Sequence, residues 1–483
     1  MTAILRPDLC VIGGGPGGIA AAIAAAALGA KVVIVEKRAL GASDLLRPAF
    51  QMHALAAGAA RIAALRASAK STLNDDPPRI DFKRMYREAD TEFQRLAREE
   101  SPARLAGLNI QLVQAGGFFT SRSRFEAGDI AIEAGAFLLA IGSVATAPAI
   151  AGIELVRPLT AERVSELVTL PKKLVIIGAD PENLILAQAF LRLGAHVVLL
   201  PLGPFLPHED PELTMPLRNA LCAEGLEIFE TADIRGIELR GSGLTVSLGE
   251  GQSVDASHLA YAAHRRPLVE GLGLQAAGVV YDKDGLKLDA DRRSSNRTIY
   301  AIRDDLASVQ SMTIARHEAE WIVALLFGRR RPPPLQLARI IATEPEIAVI
   351  GLSEEEARAR HRSIRVSRAG FCDNLRARTA FPPLGHVLAG RPVNGHRMNG
   401  HVKIIAGSDG RLLGAGIVGP QARELIGVFA LGLAQGLRAE DLAVLAASEP
   451  TLLDVCRTAA LASLPQTGKG VRRHKFWLWR LFR

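Results

Sequence analysis

Cysteine is scarce in this chain of 483 residues. Cysteines occur only at Cys10, Cys222, Cys372 and Cys456, and no two of them have the spacing of a metal clip or a CxxC motif. We therefore predict neither a zinc site nor a disulfide framework, and we expect a reducing, cytoplasmic compartment. Apolar runs of membrane-spanning length are also missing, so no membrane-spanning helix is predicted.

Much of the excess of basic residues lies in one segment of the chain. The net charge is +8 at pH 7, and the C-terminal segment GKGVRRHKFWLWRLFR carries six Lys and Arg residues and no acid. The rest of the chain is nearly balanced and shows neither a basic groove nor a known nucleic-acid motif. We predict no nucleic-acid partner.

A glycine-rich motif lies near the N-terminus, in DLCVIGGGPGGIAAAIAAAALGAKVVIVEK. The pattern predicts a strand over Leu9–Ile12, a turn, a helix over about 17–28 and a second strand over 31–35. The turn has GxGxxG spacing at Gly13, Gly15 and Gly18.

Each part of this motif suits a dinucleotide. Gly13 permits the tight turn, Gly15 lets the backbone approach a pyrophosphate, and Gly18 lets helix and strand pack closely. The helix N-terminus faces the phosphates, and Glu36, at the end of the second strand, can accept hydrogen bonds from ribose hydroxyls.

A second unit, PKKLVIIGADPENLILAQAFLRLGAHVVLLP, repeats the strand, turn, helix and strand. Its turn has Gly178, Asp180 and Asn183 where three glycines are expected, and its second strand ends at Pro201 instead of an acid. A carboxylate at the middle position would repel a pyrophosphate. We therefore predict a nucleotide-binding fold that does not bind NAD(P) productively.

Taken together, these motifs resemble the flavin-dependent class I pyridine nucleotide–disulfide oxidoreductases, which include dihydrolipoamide dehydrogenase, glutathione reductase and mercuric reductase. AFLLAIGS, which contains Gly142, resembles the ATG segment of the family. TIYAIRDD resembles the YAxGD motif, whose acid would be Asp304, and EPEIAVIGLSEEEA with GRLLGAGIVGPQARELI resembles the dimerisation domain.

The resemblance implies an α/β fold with two Rossmann-like nucleotide-binding domains and a C-terminal α+β dimerisation domain. It also implies bound FAD and a homodimer. The implied parts are the first part of the FAD domain at 1–150, a degenerate NAD(P)-binding-like domain at 151–270, the second part of the FAD domain at 271–334, the dimerisation domain at 335–466 and a basic aromatic tail at 467–483.

The sequence departs from the family where the family does its redox chemistry. Asp44 and Ala49 stand at the two redox cysteines, and no other cysteine is near. His53 replaces the lysine that follows, and Ile185 replaces its glutamate partner in the second unit.

The segment EPTLLD stands where the family has its catalytic histidine. Glu449 takes the histidine position and Asp454 the position of the acid that orients it. Asp44 and Glu449 are open to two interpretations: each is a general acid or base whose pKa is raised by burial, or an ordinary surface or interface carboxylate.

Two further departures concern nucleotide-facing positions. Arg303 replaces the YAxGD glycine, and His264 replaces a glycine of the second unit. Arg303 either covers the flavin pyrophosphate as a charge-assisted donor, or fills the flavin cavity, or forms a local salt bridge with Asp305.

Histidines cluster between residues 384 and 401, at His386, His396 and His401. Their spacings of 10 and 5 with glycine and proline between them favour a polar loop of the dimerisation domain. We predict no metal site.

The tail interleaves aromatic and basic residues, among them Trp477 and Trp479. This composition suits an anionic membrane surface, and peripheral attachment at the inner face of the membrane is one interpretation. The other is a tail packed on the protein itself or on a partner.

Two functional hypotheses follow from the sequence. The first is an FAD oxidoreductase without dithiol chemistry, passing electrons to a non-disulfide acceptor such as a quinone. The second is a non-catalytic homodimer that keeps the fold as a binding or regulatory module.

Overall fold

The computed structural model describes residues 3–38, 40–41, 43–72, 81–97, 101–160, 163–230, 233–241, 243–261, 264–282, 285–302, 310–331, 337–380, 400–445 and 450–464. The chain divides into two compact units. The first unit consists of Met1–His208, Arg218–Leu337 and Gly385–Asn394, and the second of Glu209–Leu217, Ala338–Leu384 and Gly395–Arg483. Within the described ranges, no helix has the length and apolar character needed to cross a membrane.

The secondary structure of the described residues alternates strands and helices along most of the chain. The strands are β1 Ala3–Leu5, β2 Leu9–Ile12, β3 Val32–Val35, β4 Ile110–Val113, β5 Gly117–Phe119, β6 Phe125–Ala127, β7 Ile130–Ile132, β8 Ala136–Leu139, β9 Ser143–Thr146, β10 Lys173–Ile177, β11 His196–Leu200, β12 Glu227–Ile228, β13 Ile234–Arg240, β14 Gly243–Leu248, β15 Ser253–Ala256, β16 His258–Tyr261, β17 His264–Pro267, β18 Tyr281–Asp282, β19 Gly285–Leu286, β20 Ile299–Ala301, β21 Arg339–Ile341, β22 Glu346–Gly351, β23 Ile364–Gly370, β24 His401–Gly407 and β25 Leu412–Gly419. The helices are α1 Pro16–Ala27, α2 Ser43–Thr72, α3 Phe82–Ala97, α4 Pro102–Gly107, α5 Pro181–Leu193, α6 Pro211–Glu224, α7 Gln310–Leu326, α8 Glu354–Arg360, α9 Leu375–Ala380, α10 Ala422–Gln435, α11 Ala439–Leu442 and α12 Leu453–Ala462.

The first parallel sheet has the strand order β20–β8–β2–β3–β4. Leu9 pairs with Val32 on one side and with Ala136 on the other, and every residue of β2, β3 and β8 is buried. These strands are continuous apolar runs because both faces of the sheet are covered.

Two apolar clusters cover this sheet. On one face α1 and α7 pack together, and on the other lie β5, β6 and β7 with a group of edge-to-face phenylalanines, Phe119, Phe125 and Phe137. The predicted strand, helix and strand are present, with the helix starting at Pro16 and the second strand at Val32.

The second parallel sheet has the order β12–β11–β10–β16 and is followed by the antiparallel strands β13–β14–β15. Its helix α5 packs against α2, which belongs to the long excursion between β3 and β4. Arg66 of α2 donates hydrogen bonds to the carbonyls of Arg192 (2.7 Å) and Leu193 (3.3 Å) at the end of α5. These bonds satisfy carbonyls that a helix end leaves without intrahelical partners.

The second unit is built on an antiparallel sheet of order β21–β22–β25–β24–β23. Its buried core joins the sheet to α10 and α12 and includes Phe371, Phe429 and Cys456. The two parallel sheets and this antiparallel sheet agree with the predicted fold class. The boundaries at 150, 270, 334 and 466 stay predictions.

A buried lysine organises the charges of the second unit. Lys403 on β24 is 3% exposed, and its Nζ lies 2.6 Å from Asp210 Oδ2, 2.8 Å from Glu212 Oε2 and 2.7 Å from Glu354 Oε2. Arg368 donates a hydrogen bond to Glu212 Oε1 and a second, 2.8 Å long, to Glu212 Oε2. The segment Glu209–Leu217 is thereby held to the second unit by ion pairs.

The pKa values in this cluster move in the directions that favour charge. Hydrogen bonds from Arg368 and then Lys403 lower the pKa of Glu212 to about 2. Burial opposes the charge of Lys403, but hydrogen bonds to its three carboxylates outweigh that penalty and raise its pKa.

Replacing Lys403 by methionine should destabilise the second unit. The change leaves three carboxylates facing one another without their cation, and breaking a buried ion pair from one side costs about 3–5 kcal/mol. We expect the lower end of this range because Glu212 is 33% exposed. Chemical denaturation measures the loss in the free energy of unfolding.

The matched control is Lys287→Met, which breaks the exposed pair between Lys287 and Asp282. Exposed pairs contribute about 0–1 kcal/mol. An equal loss in the two variants would show that the buried cluster contributes no more than a surface pair.

Candidate functional site

The first glycine turn joins β2 to α1, and two of its glycines lie in direct contact with the neighbouring backbone. Gly13 has φ +111°, and a Cβ there would lie 2.1 Å from the carbonyl oxygen of Ala140, just after β8. A Cβ on Gly18 would lie 2.0 Å from the carbonyl oxygen of Gly13. Any side chain at either position would therefore push the strand ends and the helix apart.

Gly15 differs from these two glycines because its surroundings are open. A Cβ on Gly15 would meet no atom within 4 Å, and its φ of −75° is ordinary for any residue. Gly15 is the N-cap of α1, and the first backbone bond of that helix runs from Ile19 N–H to Gly15 O at 2.9 Å. The amides of the first turn precede that bond and have no partner within the helix, as in helix ends that bind phosphate.

The carboxylate of Glu36 lies beside this turn, at the end of β3. Its Oε2 accepts the Gly14 N–H at 2.6 Å, and its Oε1 accepts the Arg38 N–H at 2.8 Å. Each oxygen keeps a lone pair for a further donor. The orientation of the carboxylate is therefore set before any ligand arrives.

After β3 the chain passes close to the first glycine turn again. Gly41 N–H donates to the carbonyl of Gly14 at 3.0 Å, and α2 begins at Ser43. Asp44 lies in the first turn of α2, while Ala49 and His53 follow on the same helix and are half-buried. The side chain of Asp44 lies outside the described residues.

The other predicted site residues are placed as follows. Ile185 is buried in α5, and Gly142 has φ +68° in open surroundings, where a Cβ would meet no atom within 4 Å. Asp454 on α12 forms an ion pair with Arg457 at 3.2 Å. Arg303, Asp304, Asp305, Glu449, His386, His396 and the tail from 467 lie outside the described residues, as does the side chain of His264.

His401 was predicted to lie in a polar loop, and that prediction is wrong. His401 is the first residue of β24, and its Nε2 lies 3.5 Å from Glu212 Oε1 at the edge of the Lys403 cluster. Burial lowers the pKa of His401.

The cluster around Lys403 was not predicted from the sequence. The oxygens of Asp210, Glu212 and Glu354 lie within 4.8 Å of one another, and the ammonium of Lys403 supplies the cation between them. A lysine within the apolar run HVKIIAG was the available signal, because a buried charge requires partners.

The second glycine turn is filled by the protein's own side chains. Gly178 has φ +91°, and Asp180 Oδ2 lies 2.9 Å from the position of a Cβ on Gly178. Asp180 is exposed and is the N-cap of α5, so its carboxylate stands at the helix N-terminus and turns back over Gly178.

The side chain of Asn183 occupies the buried side of the same turn. It is 3% exposed, and its Nδ2 donates to the carbonyls of Ile177 and Gly178, both at 2.9 Å. The corresponding Gly18 touches the carbonyl of Gly13 directly, so a side chain stands in the second turn where the first has none. Pro201 follows β11 and is buried.

Comparison with known proteins gives the family. The description "Pyridine nucleotide-disulphide oxidoreductase" matches residues 7–319, and the dimerisation domain of the same family matches residues 337–460. The chain belongs to the pyridine nucleotide-disulphide oxidoreductase family. The predicted family and α/β fold are thus confirmed, and the dimerisation domain supports a homodimer.

Curated relatives match over nearly their whole length. Dihydrolipoyl dehydrogenase of Pseudomonas aeruginosa is 30% identical over 481 residues, covering 96% of this chain and 99% of the relative. Mercuric reductase of Streptomyces lividans is 30% identical over 450 residues, covering 90% and 92%.

Solved structures share the fold. The HOCl-induced flavoprotein disulfide reductase RclA of Escherichia coli has a TM-score of 0.80 at 19% identity, covering 94% of this chain and 99% of its own. LpdA of Mycobacterium tuberculosis has a TM-score of 0.81 at 23% identity, covering 94% and 99%.

Members of this family bind FAD, and the first glycine turn fits that cofactor. The open side of Gly15 leaves room for a pyrophosphate at the start of α1, and the fixed Glu36 carboxylate can accept from ribose hydroxyls. The individual contacts of Gly13, Gly15, Gly18, Glu36, Gly142, Arg303 and Asp304 with FAD stay predictions.

Alanine at Gly15 and alanine at Gly18 should separate cofactor binding from folding. Gly15→Ala should fold normally, because its Cβ meets no protein atom, yet bind FAD at least about tenfold more weakly by crowding the pyrophosphate. Gly18→Ala should lower the melting temperature even without FAD, because its Cβ meets backbone.

Flavin absorbance per chain and melting of the apoprotein measure the two effects. Gly107→Ala, whose Cβ also meets no atom within 4 Å, is the control and should change neither. Full FAD content in Gly15→Ala would remove the first turn from consideration as the pyrophosphate site.

Proposed function

We propose that this protein is an FAD-binding oxidoreductase whose electron donor is not NAD(P)H and whose acceptor is not a disulfide. The observation that carries the proposal is the contrast between its two glycine turns. The first is open at Gly15, whereas Asp180 and Asn183 fill the second.

Charge and space are the two arguments against NAD(P) binding at the second turn. A pyrophosphate at the start of α5 would meet the Asp180 carboxylate, and like charges in one site repel each other. Asn183 has both of its amide hydrogens committed to strand carbonyls, so the turn gains nothing by releasing it. Pro201 offers no carboxylate to a ribose.

The positions of the cysteines argue against disulfide chemistry. No cysteine lies between Cys10 and Cys222, so α2 carries none. Cys10 and Cys456 are buried, which raises the pKa of the Cys10 thiol and raises that of Cys456 to about 12. A buried thiol that stays protonated is a poor nucleophile.

When bound, FAD supplies the redox chemistry, and the chain must supply proton transfer and exclusion of water. His53 and Asp44 on α2 are the proposed proton carriers, since α2 begins beside the first turn. Glu449, which stands at the position of the family's catalytic histidine, is a third candidate. An imidazole can exchange a proton near neutral pH, which makes His53 the first of these to test.

The alternative is a non-catalytic homodimer that retains the fold as a binding or regulatory module. The filled second turn is compatible with this role too, because a protein without turnover needs no nicotinamide site. Acceptor tests on the flavin-loaded protein distinguish the two proposals.

The decisive experiment starts from flavin reduced photochemically without oxygen. Rapid mixing with a soluble quinone should restore the oxidised flavin spectrum, while lipoamide and glutathione disulfide should not. Reoxidation by the disulfides would contradict the oxidoreductase proposed here. Reoxidation by none of the acceptors would favour the non-catalytic alternative.

A Cys222→Ser/Cys372→Ser variant is the control for this experiment, because it removes the two cysteines that are not buried. Its acceptor profile should equal that of the natural sequence. Any disulfide reduction lost in this variant would be assigned to those thiols and not to the flavin site.

Mixing with NADH or NADPH should leave the flavin of the natural sequence oxidised for many seconds. Asp180→Gly removes the carboxylate from the start of α5 and should speed flavin reduction, with a further gain in Asp180→Gly/Asn183→Gly. Glu182→Gln, which neutralises another acid in the first turn of α5, should have little effect. Bleaching of the unmodified protein within milliseconds would show that the second unit uses nicotinamide.

A membrane role for the tail is a further part of the proposal. Basic residues would supply long-range attraction to anionic lipid, and Trp477 and Trp479 would supply shallow insertion. A quinone dissolved in that membrane would then be within reach. The support is the composition of residues 468–483.

Flotation with anionic vesicles tests the tail. Binding should fall with salt without vanishing, and should fall further in Trp477→Ala/Trp479→Ala, because salt screens charge but spares insertion. A chain ending at Gln466 is the control. Equal flotation of this shortened chain would show that the tail is not the anchor.

A further inference from the structure

His401 brings an imidazole to the edge of the Lys403 cluster. It is the first residue of β24, and its side chain is 17% exposed. Its Nε2 is buried and has no hydrogen-bond partner among the described residues, although Glu212 Oε1 lies 3.5 Å away. Its cross-strand neighbours, Gly370 and Val418, have no polar side chain to offer it.

The cluster presents charges of both signs beside the imidazole. Its charged side chains come from β23, β24, α8 and the segment Glu209–Leu217, and they are Asp210, Glu212, Glu354, Arg368 and Lys403. Glu212 Oε1 already accepts a hydrogen bond from Arg368 Nε, and Glu212 Oε2 accepts one from Lys403 at 2.8 Å. A proton on His401 Nε2 would therefore compete with Arg368 for an acceptor that is in use.

We propose that His401 makes this cluster an acid-sensitive switch, which holds the segment Glu209–Leu217 on β24 while the imidazole is neutral and loosens it when the imidazole is protonated. The segment depends on the cluster because two of its residues, Asp210 and Glu212, supply carboxylates to Lys403. The proposal concerns the second unit and does not depend on the flavin chemistry.

His401 is the member of the cluster that can change its charge near neutral pH, because an unperturbed histidine titrates between about pH 5 and 8. Burial is the largest influence and lowers the pKa of His401; the neighbouring cations add to this effect and the neighbouring carboxylates oppose it. The pKa of Glu212 is about 2 and that of Lys403 is raised, so these two partners stay charged over the same range.

The direction of the pH dependence follows from this lowered pKa. In the released segment His401 returns to its ordinary pKa, so the released form binds more protons than the attached form as the pH falls. Attachment is therefore strongest above about pH 7 and weakens progressively below the ordinary histidine pKa of about 6.5.

Hydrogen exchange of the full chain at about pH 7.5 and about pH 5.5 tests the switch. After correction for the intrinsic exchange rates, protection of the amides in Glu209–Leu217 should fall at least about threefold at the lower pH. His401→Gln cannot gain the charge and should show no such fall. Each variant is compared with itself at the two pH values, so a uniform loss of stability cancels. His361→Gln, at an exposed histidine of the same unit, is the control and should behave as the natural sequence does.

Helix α10 supplies a reference within the same molecule, and this comparison needs no variant. It packs on β22 and β25, and its amides should keep their protection at both pH values. An equal loss in α10 and in Glu209–Leu217 would indicate general acid unfolding and would overturn the proposal. A loss in His401→Gln as large as that in the natural sequence would do the same, because another group would then be responsible.

Discussion

Close contact between α1 and the first glycine turn is the constraint on which the cofactor half of this protein depends. The helix can begin against the strand ends only because neither Gly13 nor Gly18 has a Cβ, as either would meet a backbone carbonyl near 2 Å. That contact fixes where α1 begins, at Gly15, whose surroundings are open. It also leaves the backbone N–H of Gly14 in reach of Glu36, so the orientation of that carboxylate is fixed beside the start of α1.

The second unit has the same architecture without that contact, and side chains occupy its turn. In the second unit β10, α5 and β11 repeat the arrangement, but Asn183 inserts an amide between helix and strand and hydrogen-bonds to the strand end. Asp180 adds a carboxylate at the helix N-terminus. The fold tolerates both because the amide satisfies the backbone carbonyls itself and the carboxylate stays in water.

The second unit depends on a different interaction, the ion cluster around Lys403. A buried ammonium needs carboxylates close by, and the segment Glu209–Leu217 supplies two of the three. This requirement attaches a segment distant in sequence to β24.

Short sequence patterns were enough to predict the strands and helix around the first glycine turn. Glycine spacing, apolar runs and the acid after β3 predicted the first unit to within a residue at its strand and helix starts, because these features act over short stretches of chain. The sequence likewise contained the loss of glycines at Asp180 and Asn183. It did not show that Asn183 bonds to Ile177 and Gly178, that His401 begins a strand beside Glu212, or that Lys403 meets Asp210 and Glu354. Those contacts join residues whose meeting depends on how strands and helices are arranged in three dimensions, and spacing along a chain carries no record of that arrangement.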